Sequence, residues 1–209
     1  MKIKICGIKT KENLFCCENN NVDFFGMIFY TRSPRNISID QALKLQNTSK
    51  NMCIKGVGVF VNENLENLKN LIIKLNLNYI QLHGQEDFEY IEKIKKQNLK
   101  IIKKISIGSE KDLIDIEKFK NADYFLFDYK PNIDELPGGN ARSFDWNIIK
   151  DINISKPWFL SGGISMGNIG IIKSQIKPYA IDLSSSMEKK LGIKDNAIIN
   201  NFMEKFYNA

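Results

Sequence analysis

The sequence has few residues of the kinds that form disulfide frameworks or metal sites. Four cysteines, at positions 6, 16, 17 and 53, and a single histidine occur among 209 residues. No two cysteines have the two-residue gap of zinc knuckles or thioredoxin-like redox motifs. No cluster of histidine, cysteine and carboxylate residues has the spacing of metal ligands. We therefore expect neither structural disulfides nor a metal site.

Long apolar stretches are also missing. The longest, Phe24–Tyr30, is far shorter than the roughly 18 residues of a transmembrane helix. Met1 leads directly into the strand-like Lys2–Cys6, without the apolar core and the small-residue cleavage site of a secretory signal. We therefore expect no membrane association and a cytoplasmic location.

The charge is moderately positive and does not identify a partner by itself. A net charge of +6 and a pI near 9.0 suit an anionic partner, either a polymer or a small phosphate ester. The densest basic stretch, Lys93–Lys104, follows several acidic residues and is interleaved with Ile and Leu. This pattern favours a solvated helix face leading into a strand over a nucleic-acid patch, so we expect no nucleic-acid partner.

Strand-like and helix-like segments alternate along the whole chain. Apolar residues at helical spacing predict helices between the strands, for example over Glu63–Leu75 and Gln85–Lys96. The predicted strands are Lys2–Cys6, Val22–Phe29, Cys53–Val61, Tyr79–His83, Lys100–Ile105, Tyr124–Asp128, Trp158–Leu160 and Ala180–Leu183. Eight βα units in about 200 residues favour an α/β fold with a single (β/α)8 TIM barrel over an open doubly wound sheet. We expect residues 1–209 to form one domain, because the length suits one core.

Polar residues stand where several predicted strands end, which is where barrels of this type carry their active sites. Cys6 alone favours packing, because free cysteine is commonly buried. Asp128 closes an apolar strand, where a buried carboxylate needs a reason; the alternative is a cap of the following loop. His83 is the only histidine, and structural and catalytic roles are equally open for it.

The loops after strands seven and eight predict a phosphate site. Gly162 and Gly163 allow close backbone approach to an anion, and Ser184, Ser185 and Ser186 supply hydroxyl and N–H groups where a short helix begins. Neither loop carries a basic residue. We therefore expect backbone N–H groups, rather than a lysine or arginine clamp, to hold the phosphate. The long segment Tyr129–Ser143, rich in Pro and Gly, is typical of a lid.

Taken together, the sequence resembles the phosphoribosylanthranilate isomerase family from about residue 4 to residue 195. The matching segments are Lys4–Ile8, Phe29–Ile37, Gly56–Val61, Gln81–Gly84, Asp128 with Gly138–Gly139, Phe144–Trp146, Leu160–Ile164, Asp182–Glu188 and Gly192–Asp195. The Cys-Gly-Ile, Ser-Pro-Arg and Gln-Leu-His-Gly motifs are specific in combination, although each is ordinary alone.

The resemblance implies an Amadori isomerase of tryptophan biosynthesis that acts on a small phosphorylated substrate without metal or other cofactor. By analogy, Asp128 is the general acid that opens the furanose ring and Cys6 is the general base that removes the C2' proton. Arg35 is the expected partner of the anthranilate carboxylate. Gln81, His83 and Asp182 are the further expected substrate contacts, and the chain is expected to be a monomer or a homodimer.

The sequence departs from the family pattern at four positions. Asn140 and Ala141 follow Gly138–Gly139 where the family continues with Ser/Thr-Gly, Ser186 replaces a glycine, and Met166 replaces a proline. Three other classes remain as alternatives: a related phosphate-binding barrel enzyme, a non-catalytic sugar-phosphate binder and a basic nucleic-acid binder. The related barrel enzymes of tryptophan and histidine biosynthesis lack this pairing of Cys-Gly-Ile with Asp128. One of them, indoleglycerol-phosphate synthase, would use a lysine acid at a strand end, and none stands in matching context. A binder would not need Cys6 and Asp128 together.

Overall fold

Eight parallel strands close into a barrel, in which β8 pairs back onto β1. The structure, a computed structural model, describes residues 1–95, 98–114, 116–132, 134–140, 142–150 and 154–208. The strands are β1 Lys2–Cys6, β2 Phe24–Phe29, β3 Lys55–Phe60, β4 Tyr79–Leu82, β5 Lys100–Ile107, β6 Tyr124–Tyr129, β7 Trp158–Leu160 and β8 Ala180–Leu183. The predicted (β/α)8 TIM barrel is therefore confirmed, with all eight strands at their predicted places.

Helices cover the outside of the barrel. They are α1 Lys11–Asn19, α2 Ile39–Ser49, α3 Leu65–Lys74, α4 Phe88–Ile94, α5 Asn147–Lys150, α6 Ile169–Ile171 and α7 Asn196–Asn208. Two 3-10 turns, Glu110–Leu113 and Ile116–Phe119, stand between β5 and β6, and α6 continues into a π-helical turn, Ile172–Ile176. After β8, a 3-10 turn at Ser185–Met187 leads into a hairpin of β9 Glu188–Lys190 and β10 Ile193–Lys194.

The predicted helix over Gln85–Lys96 is shorter than expected. It begins at Phe88, after the N-cap Asp87, and ends at Ile94; Lys96 lies outside the described residues. Phe88, Ile91 and Ile94 are the apolar residues whose helical spacing predicts one buried face; Ile91 and Ile94 are buried, but Phe88 is 51% exposed, so the prediction is wrong for Phe88. Residues three apart drift by about 60° around a helix at each step, and two steps take Phe88 away from the face that carries Ile94.

The interior of the barrel is apolar at one end and polar at the other. A cluster that includes Phe24, Val57, Ile102, Leu126 and Phe159 fills the lumen. The rings of Phe24 and Phe159 lie 5.7 Å apart. Towards the C-terminal ends of the strands, the inward-facing positions hold ionisable side chains. The packed apolar cluster therefore lies directly beneath this polar end of the barrel. No helix in the described part of the chain has the length and apolar character to cross a membrane.

Candidate active site

Two adjoining cavities, of about 60 and 230 Å³, open at the C-terminal ends of the strands. The predicted site residues that line the smaller cavity alone are Cys6, Arg35, Gln81 and His83. Those that line the larger cavity alone are Gly162, Gly163, Ser185 and Ser186. Asp128, Asp182 and Ser184 line both. The fold therefore brings together every site residue expected from the sequence.

Cys6 lies beside a buried ion pair. The Lys4 ammonium, which is fully buried, donates to Asp182 Oδ2 at 2.8 Å. Burial lowers the pKa of Lys4, but the negative charges of Asp182 and Cys6 outweigh it and leave the pKa raised. Burial raises the pKa of the Cys6 thiol, and the Lys4 charge opposes that effect. Burial raises the pKa of Asp182, and the charge and hydrogen bond of Lys4 oppose that effect. A carboxyl group 2.8 Å from an ammonium is stabilised as the carboxylate.

Asp128 is a buried carboxyl group at the end of β6. Its side chain is 7% exposed, and Oδ1 accepts a hydrogen bond from the Tyr129 N–H at 2.9 Å. Burial raises the pKa of Asp128 to about 6, although the positive charge of Lys104 opposes the shift. A carboxyl group with this pKa is partly protonated near neutral pH, so it can donate a proton.

His83 is neutral, with a hydrogen bond to the Pro137 backbone and with Asp128 nearby. Gln81 Nε2 lies 2.8 Å from His83 Nδ1; an amide NH2 only donates, so Nδ1 accepts and the ring proton is on Nε2. That nitrogen lies 3.6 Å from Asp128 Oδ2. Burial lowers the pKa of His83 well below its ordinary value, and the charge of Lys104 adds to this. The two side chains therefore do not form an ion pair.

Arg35 is held by a carboxylate that sequence reasoning did not assign to the site. Glu188 accepts hydrogen bonds from Arg35 Nε at 2.7 Å and Nη2 at 3.0 Å, and its side chain is 4% exposed. Lys194 Nζ lies 2.6 Å from Glu188 and 3.0 Å from the Ser184 carbonyl. Burial opposes the charge on Glu188, yet Arg35 and Lys194 lower its pKa to about 2. The β9–β10 hairpin thus joins Arg35 to the loop after β8.

The larger cavity has the backbone character expected of an anion site. Gly162 and Gly163 have φ angles of +88° and +66°, the region that glycine adopts without strain. The N–H groups of these glycines, Ser185 and Ser186 donate to no acceptor in the described part of the chain. The helix expected to begin here is a single 3-10 turn, so separate N–H groups, rather than the dipole of a long helix, are available to an anion.

One basic side chain lines the larger cavity, although neither predicted phosphate loop carries one. Arg142, from the loop after β6, lines it and is partly exposed, with Nη1 2.9 Å from Glu135 and 3.3 Å from the Tyr129 hydroxyl. The Arg142 guanidinium is therefore part of the wall that an anion in the larger cavity would face. That backbone N–H groups mainly hold the phosphate stays a prediction, and Arg142 is a basic residue at this cavity that comes from a different loop.

Two lysines at the end of the basic stretch Lys93–Lys104 are not solvated. Lys103 Nζ contacts Glu86 at 2.8 Å, and Lys104 Nζ donates to the Pro137 carbonyl at 2.7 Å; both side chains are buried. The predicted solvated face belongs to the helix, whereas these two lysines stand on the predicted strand into which it leads, and that strand, β5, lies inside the structure. A signal was present: two lysines in a run of Ile residues on a predicted strand cannot both face water.

Two of the four departures from the family pattern line the larger cavity. Ser186 lines the larger cavity, and Asn140 does so with its amide donating to the Leu136 carbonyl at 2.9 Å. Met166 is exposed, and Ala141 lies outside the described residues. No group of three or more potential metal ligands occurs among the residues that the structure describes.

Comparison with known proteins identifies relatives over almost the whole chain. The sequence model of one family, N-(5'-phosphoribosyl)anthranilate (PRA) isomerase, matches residues 3–205. A protein named N-(5'-phosphoribosyl)anthranilate isomerase from Caldanaerobacter subterraneus subsp. tengcongensis is 38% identical over 205 residues, covering 98% of this chain and 97% of the relative.

Solved structures of similar proteins have the same fold. The crystal structure of phosphoribosyl anthranilate isomerase from Thermotoga maritima superimposes with a TM-score of 0.89 at 30% identity, covering all of both chains. A further phosphoribosyl anthranilate isomerase structure, a complex with reduced 1-(o-carboxyphenylamino)-1-deoxyribulose 5-phosphate, matches with a TM-score of 0.84 at 28% identity over both full chains.

Proposed function

Because the chain belongs to the N-(5'-phosphoribosyl)anthranilate isomerase family, an isomerase family of tryptophan biosynthesis, we propose that Cys6 and Asp128 are the base and the acid of its reaction. The substrate is a phosphorylated small molecule, N-(5'-phosphoribosyl)anthranilate. The observation that carries the proposal is the cavity that Cys6 and Asp128 both line, next to a second chamber with unpaired N–H groups. An acid and a base at one cavity suffice for an internal proton shift.

Asp128 begins the reaction as an acid. Its proton passes to the ring oxygen while the bond between C1' and that oxygen breaks, and the anilino nitrogen supplies the electron pair that forms a Schiff base. The Cys6 thiolate then removes the C2' proton, and the C2'–H electrons form the C1'=C2' bond of an enolamine. Loss of the hydroxyl proton at C2' and gain of a proton at C1' give the ketone, so the sum is an isomerisation.

The protonation states of this pair fit that sequence. Burial raises the pKa of Asp128 to about 6 and raises that of Cys6 above its ordinary value, so near neutral pH the common form holds a carboxylate and a thiol. The reactive form has the same total number of protons, but Asp128 is protonated and Cys6 is the thiolate. At pH values between the pKa of Asp128 and that of Cys6, the fraction of enzyme in this reactive form does not depend on pH. Lys4 increases this fraction because its positive charge favours the thiolate.

Arg35 keeps one edge of its guanidinium for the anthranilate carboxylate. Glu188 uses the edge formed by Nε and Nη2. The other edge, formed by Nη1 and the remaining Nη2 hydrogen, matches a carboxylate with two parallel hydrogen bonds. Arg35 lines the smaller cavity with Cys6, so the aromatic end of the substrate binds there and the phosphate binds in the larger chamber.

Two buried acceptors are left for the substrate. Asp182 Oδ1 and Gln81 Oε1 have no hydrogen-bond partner in the described part of the chain, and both side chains line the smaller cavity. Since unpaired buried acceptors are costly, we assign them to the sugar hydroxyl and anilino N–H donors of the substrate. The N–H groups of Gly162, Gly163, Ser185 and Ser186, with the Ser184 hydroxyl nearby, bind the phosphate. His83, which lines the same cavity, is a further proposed substrate contact.

The domain organisation, oligomeric state, location, cofactor use and partners belong to the same proposal. Residues 1–209 act as one catalytic domain, as a monomer or a homodimer, in the cytoplasm. Neither a metal nor another cofactor takes part, and nucleic acid and membranes are not partners.

The test follows the loss of substrate fluorescence with purified protein, with and without excess chelator. Cys6→Ala and Asp128→Asn should each lower kcat by about 10²- to 10⁴-fold while the fold persists. Cys53→Ala and Asp134→Asn, at exposed positions, are the matched controls and should keep wild-type turnover. Near-normal turnover of either site variant would refute its role, and loss of wild-type activity with chelator would refute the metal-free reaction.

A further inference from the structure

Lys104 is a buried lysine at the catalytic end of the barrel. It shares one face of β5 with Ile102, whose side chain belongs to the lumen cluster, because alternate residues of a strand point the same way. Its neighbour Lys103 points to the other face and pairs with Glu86 at 2.8 Å. Lys104 is 6% exposed. An ammonium group at such a position needs polar partners to offset its lost hydration.

The partner of Lys104 is the backbone of the turn above the site. Nζ donates to the Pro137 carbonyl at 2.7 Å. The next two residues, Gly138 and Gly139, line both cavities. A Cβ atom at Gly138 would collide with His83 Nε2, and one at Gly139, which has a φ of +79°, would collide with Arg35 Nη1. Lys104 therefore fixes the turn whose glycines pack directly on two side chains of the site.

Lys104 is also the positive charge next to Asp128. From β8, Asp182 contributes a negative charge; from β7, Ser161 contributes a hydrogen bond; and from β4, His83 faces Asp128 as a neutral ring. Among the groups that favour the carboxylate form, Lys104 is the strongest. Burial lowers the pKa of Lys104 itself, and Asp128 opposes that effect.

We propose that Lys104 is a positioning residue of the isomerase, which fastens the Pro137–Gly139 turn over the substrate and supplies the positive charge that Asp128 faces. This inference rests on the proposed role of Asp128. Neither effect requires Lys104 to touch the substrate. The two effects have separate readouts, one in the mobility of the turn and one in the titration of Asp128.

The first experiment measures the turn. Lys104→Met keeps the shape of the side chain but removes the charge and the donor. It should raise KM roughly tenfold, the value of one charged hydrogen bond, with a smaller change in kcat. It should also speed amide hydrogen exchange in residues 134–140. Lys100→Met is the matched control, because Lys100 lies on the same strand at its other end, pairs with Asp123 and is half exposed; it should change neither quantity.

The second experiment measures the charge. A ¹³C NMR titration of labelled aspartate carboxyl groups, with Asp128→Asn to assign the signal, should show the Asp128 midpoint about 1 pH unit higher in Lys104→Met than in wild type. Lys104→Arg should keep the wild-type midpoint. An unchanged midpoint, or unchanged KM and exchange, in Lys104→Met overturns the proposal. Should that variant not fold, Lys104→Gln serves the same titration with the same expected rise. Full turnover of Asp128→Asn would refute only the role of Asp128, since the titration and exchange still report on Lys104.

Discussion

Glu188 and Arg35 are joined by two parallel hydrogen bonds, at 2.7 and 3.0 Å, although 153 residues separate them in the chain. The pair sets the direction of the guanidinium edge that faces the smaller cavity. Lys194 and the Gly192 N–H bind the same carboxylate, at 2.6 and 3.0 Å. The hairpin after β8 thus holds Arg35, which comes from the loop after β2 and which we propose as a substrate contact.

Glu188→Gln should weaken substrate binding without removing a group that touches the substrate. The glutamine amide leaves the buried charges of Arg35 and Lys194 without a counter-charge, which lowers the free energy of unfolding by about 3 kcal/mol or more. The displaced guanidinium should lower kcat/KM by about tenfold to hundredfold, mainly through KM. Urea unfolding and steady-state kinetics measure the two effects. Glu66→Gln, in an exposed pair with Lys69, is the control, and equal behaviour of both variants would contradict the role of Glu188.

Arg35→Lys should impair binding of the anthranilate end more than its retained charge suggests. Lysine keeps one positive charge but loses the planar fork that serves Glu188 on one edge and the carboxylate on the other. We expect KM to rise at least about tenfold. Arg32→Lys, at an exposed position in the same loop, should leave KM unchanged. A normal kcat/KM in Arg35→Lys would place the carboxylate elsewhere in the cavity.

Asp128→Asn should stabilise the protein in a pH-dependent way. Burial raises the pKa of Asp128 from 3.8 to about 6, so its contribution to stability is complete below pH 3.8 and is lost as the pH rises through 6. Above that pH the wild type holds a buried charge that asparagine lacks. We expect the variant to be more stable at pH 8 by on the order of 2 kcal/mol, with the gain decreasing towards pH 4. Denaturant unfolding at both values tests this, with Asp134→Asn as the control; a pH-independent difference would contradict it.

Gly163→Ala should cost both stability and phosphate affinity. Its φ of +66° is strained for alanine, and the new Cβ would lie 2.8 Å from Ser143 Cβ. We expect a loss of about 1 to 2 kcal/mol and weaker inhibition by inorganic phosphate. Gly167→Ala, in the same loop, places its Cβ 3.6 Å from Ser165 Oγ, an ordinary contact, and is the matched control. Wild-type phosphate inhibition in Gly163→Ala would remove this loop from the phosphate site.

The sequence alone determined the barrel and the membership of the site. Apolar strands of period two and helices of period 3.6 depend only on local residue order, so β1, β7 and β8 were predicted with their observed bounds. Cys6, Asp128 and Asp182 lie at the C-terminal ends of their strands and Gly163 follows β7, and a closed parallel barrel brings these strand ends to one rim. The assembly of these residues around two joined cavities therefore follows from their positions at the ends of successive strands in the sequence.

Only the tertiary structure decided which partner each buried charge has. The contacts of Arg35 with Glu188, of Lys4 with Asp182 and of Lys104 with Pro137 join distant segments, and no local periodicity encodes them. The protonation states also depend on this packing, because burial and neighbouring charges set a pKa that residue type does not. Lys103 and Lys104 illustrate the limit: two lysines in a run of Ile residues on a predicted strand indicate that they do not both face water, but only the fold shows that both are buried and that Glu86 and the Pro137 carbonyl are their partners.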